Sequence, residues 1–207
     1  MPKDRPRGVF INCPFDKTYK PIFDAIVFTV LDCGYLPRGA LEIVDSAQVR
    51  LSKLLRIIGD CDFAVHDISR IELDKSSGLP RFNMPFELGL YLGAREFGSG
   101  GQKNKNCLIL DKDRFRFQRF LSDISGQDIT AHNGKPEGAI TAVRNWLNSA
   151  TPDVLVPGAK HILKRYRAFE KDLPALALRE NLHVSEIQFA DRRKLISKWL
   201  KTFSEII

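Results

Sequence analysis

Short apolar runs alternate with longer amphipathic segments along the first three quarters of this 207-residue chain, and that alternation constrains its fold more than any other feature. "VFINC" (9–13), "DFAVHDIS" (62–69) and "CLILD" (107–111) are short runs bounded by polar or turn residues, which is the pattern of buried strands. Segments of helical period lie between them. Strands joined by helix-length crossovers form parallel sheets covered on both faces. The expected fold is therefore α/β: a three-layer open sheet of four or five mainly parallel strands, flavodoxin-like, over residues 8–150.

The helix over 18–34 is apolar on nearly every side and is stopped by Gly34, so it should be deeply buried. "LEIV" (41–44) is expected as a weak second strand, followed by a helix capped by Ser46 with Leu51, Leu54, Leu55 and Ile58 on one face. The polar stretch 70–81 is a loop. Asn83 is the expected cap of the next helix, which runs to about Phe97 with Pro85 in its first turn, where a missing N–H costs nothing. A short helix near 114–124, a strand near 128–132 and a helix over 137–150 complete the domain. Residues 151–158 hold two prolines and a glycine and read as a linker. The rest, 159–207, reads as a helical extension in three segments, interrupted at Pro174 and before Glu186, that docks on the main domain or on a second subunit.

The net charge is +7, and the segment from 152 onward contributes 11 basic against 7 acidic residues. Such a balance favours anions, whether nucleic acid, nucleotide or an acidic partner, without choosing among them. The basic residues are dispersed and no helix-turn-helix or zinc pattern accompanies them, which sets nucleic acid behind a nucleotide. Cys13, Cys33, Cys61 and Cys107 are far apart and fit reduced, structural thiols; His66, His132, His161 and His183 lack metal-ligand spacing, so no metal is expected. No apolar stretch reaches membrane-spanning length. "MPKDRPRG" runs straight into "VFINCPFD" without a long apolar region, so neither a signal peptide nor a membrane partner is expected, and the cytoplasm is the expected location.

Ligands of open parallel sheets sit beyond the carboxyl ends of the strands, near the point where strand order reverses. Three polar groups map there: Pro14, Phe15 and Asp16 after the first strand; His66, Asp67, Ser69 and Arg70 after the third; and Glu87 at the start of the following helix. A first-turn glutamate gains about 0.3–1 kcal/mol from the helix dipole. Between Phe86 and Leu88, however, a carboxylate is costly unless paired, and Arg50, Arg70 and Arg81 are available. Glu87 is thus either half of a buried ion pair or a reactive group. Asp67 is a turn cap, a sugar-hydroxyl acceptor or an orienting acid; His66 is a satisfied strand-end histidine or a proton carrier. There is no GxGxxG or GxxxxGK[ST], but the turn "CPFDKTY", with Lys17 and Lys20 nearby, suits an anion, and Arg38 and Arg50 frame the second connection.

"VFINCPFD", "CDFAVHDIS" and "NMPFELGLYLGA", in this order and spacing, resemble the three shared regions of nucleoside 2-deoxyribosyltransferases and the Toll/interleukin-receptor (TIR) superfamily, including its prokaryotic TIR-like nucleotide-binding branch. The likeness covers about residues 8–150. It implies a catalytic glutamate at Glu87, an aspartate near the bound nucleoside at Asp67, and base packing by Phe15. It further implies cleavage of an N-glycosidic bond in NAD or a related nucleotide, with nucleoside base hydrolysis or transfer, or non-catalytic sensing, as alternatives. A defence role and a homo-oligomer switched on by self-association follow from the same resemblance. The transferases carry an acidic "DxGT" element before the helix. This chain reads "LPRFNMP", placing Arg81 and Asn83 there and admitting a phosphate-bearing substrate held by Arg38, Arg50 or Arg81. No resident cofactor is expected, NAD entering as substrate.

Overall fold

A computed structural model describes residues 7–42, 45–73 and 78–204. Five strands, β1 (Gly8–Asn12), β2 (Leu36–Arg38), β3 (Phe63–Asp67), β4 (Asn106–Asp111) and β5 (Ile129–Ala131), form one sheet in the order β2-β1-β3-β4-β5. Every pairing is parallel. Among the described residues there are six α-helices: α1 (Lys20–Asp32), α2 (Arg50–Asp60), α3 (Asn83–Phe97), α4 (Pro136–Ala150), α5 (Ala159–Arg179) and α6 (Phe189–Ser204). The protein is an open, all-parallel α/β sheet with a C-terminal helical extension. Its strand order reverses between β1 and β3, so the crevice expected to hold a ligand opens there.

Alternation along β1 divides the layers. Val9 and Ile11 point into the core shared with α1 and α4, while Phe10 joins Leu54, Ile57 and Tyr91 of α2 and α3 on the other face. The helix α1 is buried continuously from Ile22 to Val30 because it has a neighbour on each side: the sheet beneath and the α5–α6 pair above. Phe28 meets Tyr166, Phe169 and Trp199 at ring separations of 5.5, 5.6 and 6.2 Å. Arg165 pairs with Asp32 at 2.7 Å and Arg192 with Asp24 at 3.0 Å, so ion pairs as well as apolar contact bind the extension to α1. The 151–158 connection is itself pinned, with Tyr35 donating to Thr151 and Arg144 to the carbonyl of Pro157, both at 2.8 Å.

Several elements differ from the sequence reading. The second strand is Leu36–Arg38, not 41–44. Gly34, at φ +84°, lets Tyr35 N–H return to the Val30 carbonyl and Gly34 N–H to that of Leu31, so the chain re-enters the sheet at once. Pro37 lacks a donor and sits on the edge strand, where the loss is tolerated. Ala40–Glu42 is a 3-10 turn, and residues 43 and 44 lie outside the described residues. Ser46 does not cap α2, which begins at Arg50 after an extended Val49. Its buried face is Leu54, Ile57 and Ile58, leaving Leu51 and Leu55 42% and 46% exposed. Asn83 is the first residue of α3 rather than its cap, which is Phe82 without a side-chain hydrogen bond. The stretch near 114–124 is two 3-10 turns. Finally, α5 runs unbroken through Pro174. The ring lies on the exposed side, and burial of Leu173 and Ala177 offsets the missing hydrogen bond.

Lys105 shows how the helix ends are satisfied. It is buried against the ring of Tyr91 and donates to the carbonyls of Ile58 and Cys61, both at 2.6 Å, closing the end of α2. Lys105→Met keeps the stem and removes both bonds. It is expected to cost about 2 kcal/mol and lower Tm by roughly 4–8 °C in a circular-dichroism melt. An unchanged Tm would show that these carbonyls find other donors.

Candidate functional site

The site is built from the bottom of the β1/β3 crevice upward. Asp67, the last residue of β3, is fully buried. Its Oδ2 accepts from the Tyr19 hydroxyl at 2.5 Å and lies 3.1 Å from His132 Nε2, while Oδ1 accepts from Ser69 N–H at 2.8 Å. His132 Nδ1 accepts from Gly134 N–H, which leaves the ring proton on Nε2, facing the carboxylate. The carboxylate thereby ties together the start of α1, the end of β3 and the turn after β5. Its neighbour His66 faces the opposite side of the sheet, between the edges of Phe10 and Tyr91. Burial alone drives its pKa down to about 3, so the ring is neutral, and Asn12 Nδ2 bridges His66 Nδ1 at 3.0 Å and the Met84 carbonyl at 2.8 Å.

That asparagine fastens the first turn of α3 to the end of β1. Pro85 lies in the same turn, as expected, but Glu87 is the fifth residue of the helix, beyond the reach of most of the dipole. Burial pushes its carboxyl up to about 7, against the lowering influence of the Arg50 charge. Among the described residues Glu87 makes no hydrogen bond and no ion pair. Of the three arginines that the sequence offered it, Arg50 is the one whose charge it feels. Arg70 instead bonds Asp16 at 3.0 Å and Thr18, and Arg81 is exposed ahead of α3. Cys13 is raised well above its ordinary value by burial and then by the charges of Asp67 and Glu87, which places this thiol, kept protonated, near both carboxylates.

Beside this crevice, on its β2 side, is a cleft of about 570 Å³. Pro14 and Phe15 form one wall, Leu41, Arg50 and Lys53 a second, and the beginning of α6 a third. Its size suits a nucleotide-sized molecule. Phe15, 47% exposed, stands edge-on to Phe23 at 5.5 Å. Arg50 makes no hydrogen bond or ion pair among the described residues, and Lys53 donates to the Asp45 carbonyl at 2.7 Å.

The residues singled out from sequence therefore separate into groups. Pro14, Phe15 and Arg50 line the cleft. Asp16 caps the turn into α1; burial would raise its pKa, but the hydrogen bonds of Thr18 and Tyr19 and the Arg70 charge bring it below the usual carboxylate range. Arg38 is held by Glu42 at 2.6 Å and Ser69 by Arg116, which donates to its carbonyl at 2.7 Å. His66 and Asp67 lie beneath the surface, and Asn83 is exposed at the start of α3. Sequence reasoning missed Asn12, Tyr19, His132 and Lys53. For His132 a signal existed, since it directly follows a strand end; for α6, more than 170 residues from β1, there was none.

Among the described residues no group of three His, Cys, Asp or Glu side chains is placed to hold a metal, and no helix is long and apolar enough to cross a membrane. The sequence matches no model of a known protein family and no curated protein.

The Glu87 shift has a definite sign. A carboxyl whose folded pKa lies above its unfolded value favours the folded state below the unfolded pKa, and that stability is lost as pH rises to about 7. His66 acts oppositely: its depressed pKa favours the fold at higher pH, and stability is lost as pH falls from about 6.5 toward 3. Comparing the intact protein with Glu87→Gln isolates the first effect. Denaturant titrations should show the intact protein losing stability relative to the variant between about pH 4.5 and about pH 7. A pH-independent difference would place Glu87 in water.

Proposed function

We propose that the protein cleaves the N-glycosidic bond of NAD or a related nucleotide, with the Glu87 carboxylate facing the ribosyl carbon. The observation that carries this reading is a carboxylate raised to about 7, making no hydrogen bond or ion pair among the described residues, beside a nucleotide-sized cleft on the β2 side of the strand-order reversal. The resemblance of "VFINCPFD", "CDFAVHDIS" and "NMPFELGLYLGA" to the TIR and deoxyribosyltransferase superfamily supports it. In NAD the C1′–N bond breaks with its electron pair going to the nicotinamide nitrogen, which loses its positive charge. The charge left on the ribosyl carbon is stabilised by the ionised Glu87 until water adds and its proton is lost. Arg50 lowers the cost of ionising Glu87 and stands where a phosphate enters. Phe15 packs on the ligand. Asp67 acts through the loops that it orders, because its oxygens are turned inward to Tyr19, Ser69 and His132.

The resemblance also supports a role for this activity in defence, with self-association of the chain as its switch. A second reading is non-catalytic nucleotide sensing. It is favoured by the position of Glu87 beside the cleft rather than in its walls.

Chromatography of NAD, NADP, ATP and nucleosides incubated with concentrated protein tests the proposal. Base release should be present in the intact protein, should rise with pH through about 7, and should fall at least about 100-fold in Glu87→Gln. Full turnover in that variant removes the assignment. Nucleotide binding without release at any protein concentration moves the protein to the sensing class.

A further inference from the structure

The third wall of the cleft comes from outside the sheet domain. Ile187, Gln188 and Phe189, at the entry to α6, face the same space as Phe15 and Arg50. They are held there firmly. Gln188 N–H donates to Asp191 Oδ2 at 3.2 Å, in the manner of a helix-start carboxylate reaching back to the cap residue. Phe189 packs on Phe23 at 5.8 Å, and Phe23 in turn on Phe15 at 5.5 Å, so an aromatic row runs from the β1 loop to α6. Arg192, one turn on, is buried against Asp24 of α1 and also pairs with Glu170 of α5.

Within this fixed frame Gln188 is exposed, and its side-chain amide makes no hydrogen bond among the described residues. An amide offers a donor and an acceptor side by side. That pair complements the adjacent N6 donor and N7 acceptor of adenine, and mismatches hypoxanthine, whose 6-position is an acceptor. Across the cleft, Arg50 makes no hydrogen bond or ion pair among the described residues, and Lys53 retains donors beyond the one given to Asp45. Phe15 and Phe189 make the β1-loop and α6 side aromatic, its charges Lys20 and Arg192 being paired with Asp24, while Arg50 and Lys53, in no ion pair among the described residues, lie with α2.

We infer that the C-terminal helical extension is part of the substrate site: Gln188 reads the edge of an adenine base packed between Phe15 and the start of α6, while Arg50 takes the phosphate. This rests on the nucleotide reading of the cleft given above, and it adds a base preference and a specificity-determining residue from a segment outside the sheet. It also assigns the docking of α5–α6 on α1 a role in recognition.

Calorimetric titration of AMP, inosine monophosphate and adenosine into the full-length chain tests the inference without requiring turnover. AMP should bind more tightly than either of the others. Gln188→Ala should weaken AMP by about 3- to 10-fold and erase its advantage over inosine monophosphate. Arg50→Ala should weaken AMP by about 10- to 100-fold and erase its advantage over adenosine. Both side chains are exposed, so an unchanged melting curve checks that the fold is intact. Absence of AMP binding, or an AMP preference untouched by Gln188→Ala, overturns the inference. Glu87-dependent base release with no role for Gln188 would remove the α6 wall and leave the chemistry standing. Gln188-dependent AMP binding with no base release would do the reverse.

Discussion

A carboxylate without access to water has to be answered by polar neighbours, and Asp67 finds them in three separated segments. Tyr19, at the entry to α1, and Ser69 N–H, in the loop after β3, donate to it, and His132 Nε2, in the turn after β5, stands 3.1 Å away. Removing any one leaves charge in the interior with too few partners, a loss of the kind that costs several kcal/mol. The loops that carry Pro14 and Phe15 to the cleft are therefore held by a residue that does not itself reach it. Asn12 does the equivalent on the other face, joining His66 to the first turn of α3 and so setting where Glu87 stands. Two buried polar knots, one on each side of the sheet, position a site made of side chains that have few partners of their own.

That contrast is the main functional signal. Asp16, Arg38 and Asp67 are ionic residues at strand ends, yet the side chain of each is occupied within the fold. The side chains of Glu87, Arg50 and Gln188 have no such partners among the described residues. The cost of leaving Glu87 half-buried appears as its raised pKa, and the charge of Arg50 offsets only part of it. A carboxyl poised near neutrality is more useful to proton and glycosyl chemistry than a fully paired one, because both of its states are accessible. The extension contributes through shape as well as stability. By burying the outer face of α1 against Phe169 and Trp199, it brings Gln188 to the cleft.

The fold was legible where periodicity was strong. The runs at 9–13, 62–69 and 107–111 became β1, β3 and β4, and the all-round apolar segment became α1 for the reason its composition suggested. The second strand was misplaced because Pro37 and a three-residue pairing carry no strand-like pattern, whereas Leu41 and its apolar neighbours do. Capping by Ser46 and Asn83 failed because polar residues near a helix start do not reveal where the backbone turns. For the candidate site, strand-end logic singled out Phe15, Asp67 and Glu87, but it could not tell which side chains the fold would use up. Arg38 and Arg50 look alike in sequence; only three dimensions show one bound to Glu42 and the other without a partner among the described residues. Gln188 was invisible because its place in the cleft depends on docking between segments far apart in the chain.

The central claim is geometric: the ribosyl carbon of a bound nucleotide lies against residue 87. A crystal structure of Glu87→Gln with NAD examines it directly, since the variant is expected to hold the ligand uncleaved. The expected result is the nicotinamide-bearing ribosyl carbon within about 3.5 Å of the residue 87 side chain, a near-attack separation, with the adenine against Phe15 and Gln188. Dinucleotide bound in the cleft with that carbon far from residue 87 would contradict it and leave Glu87 without a catalytic role.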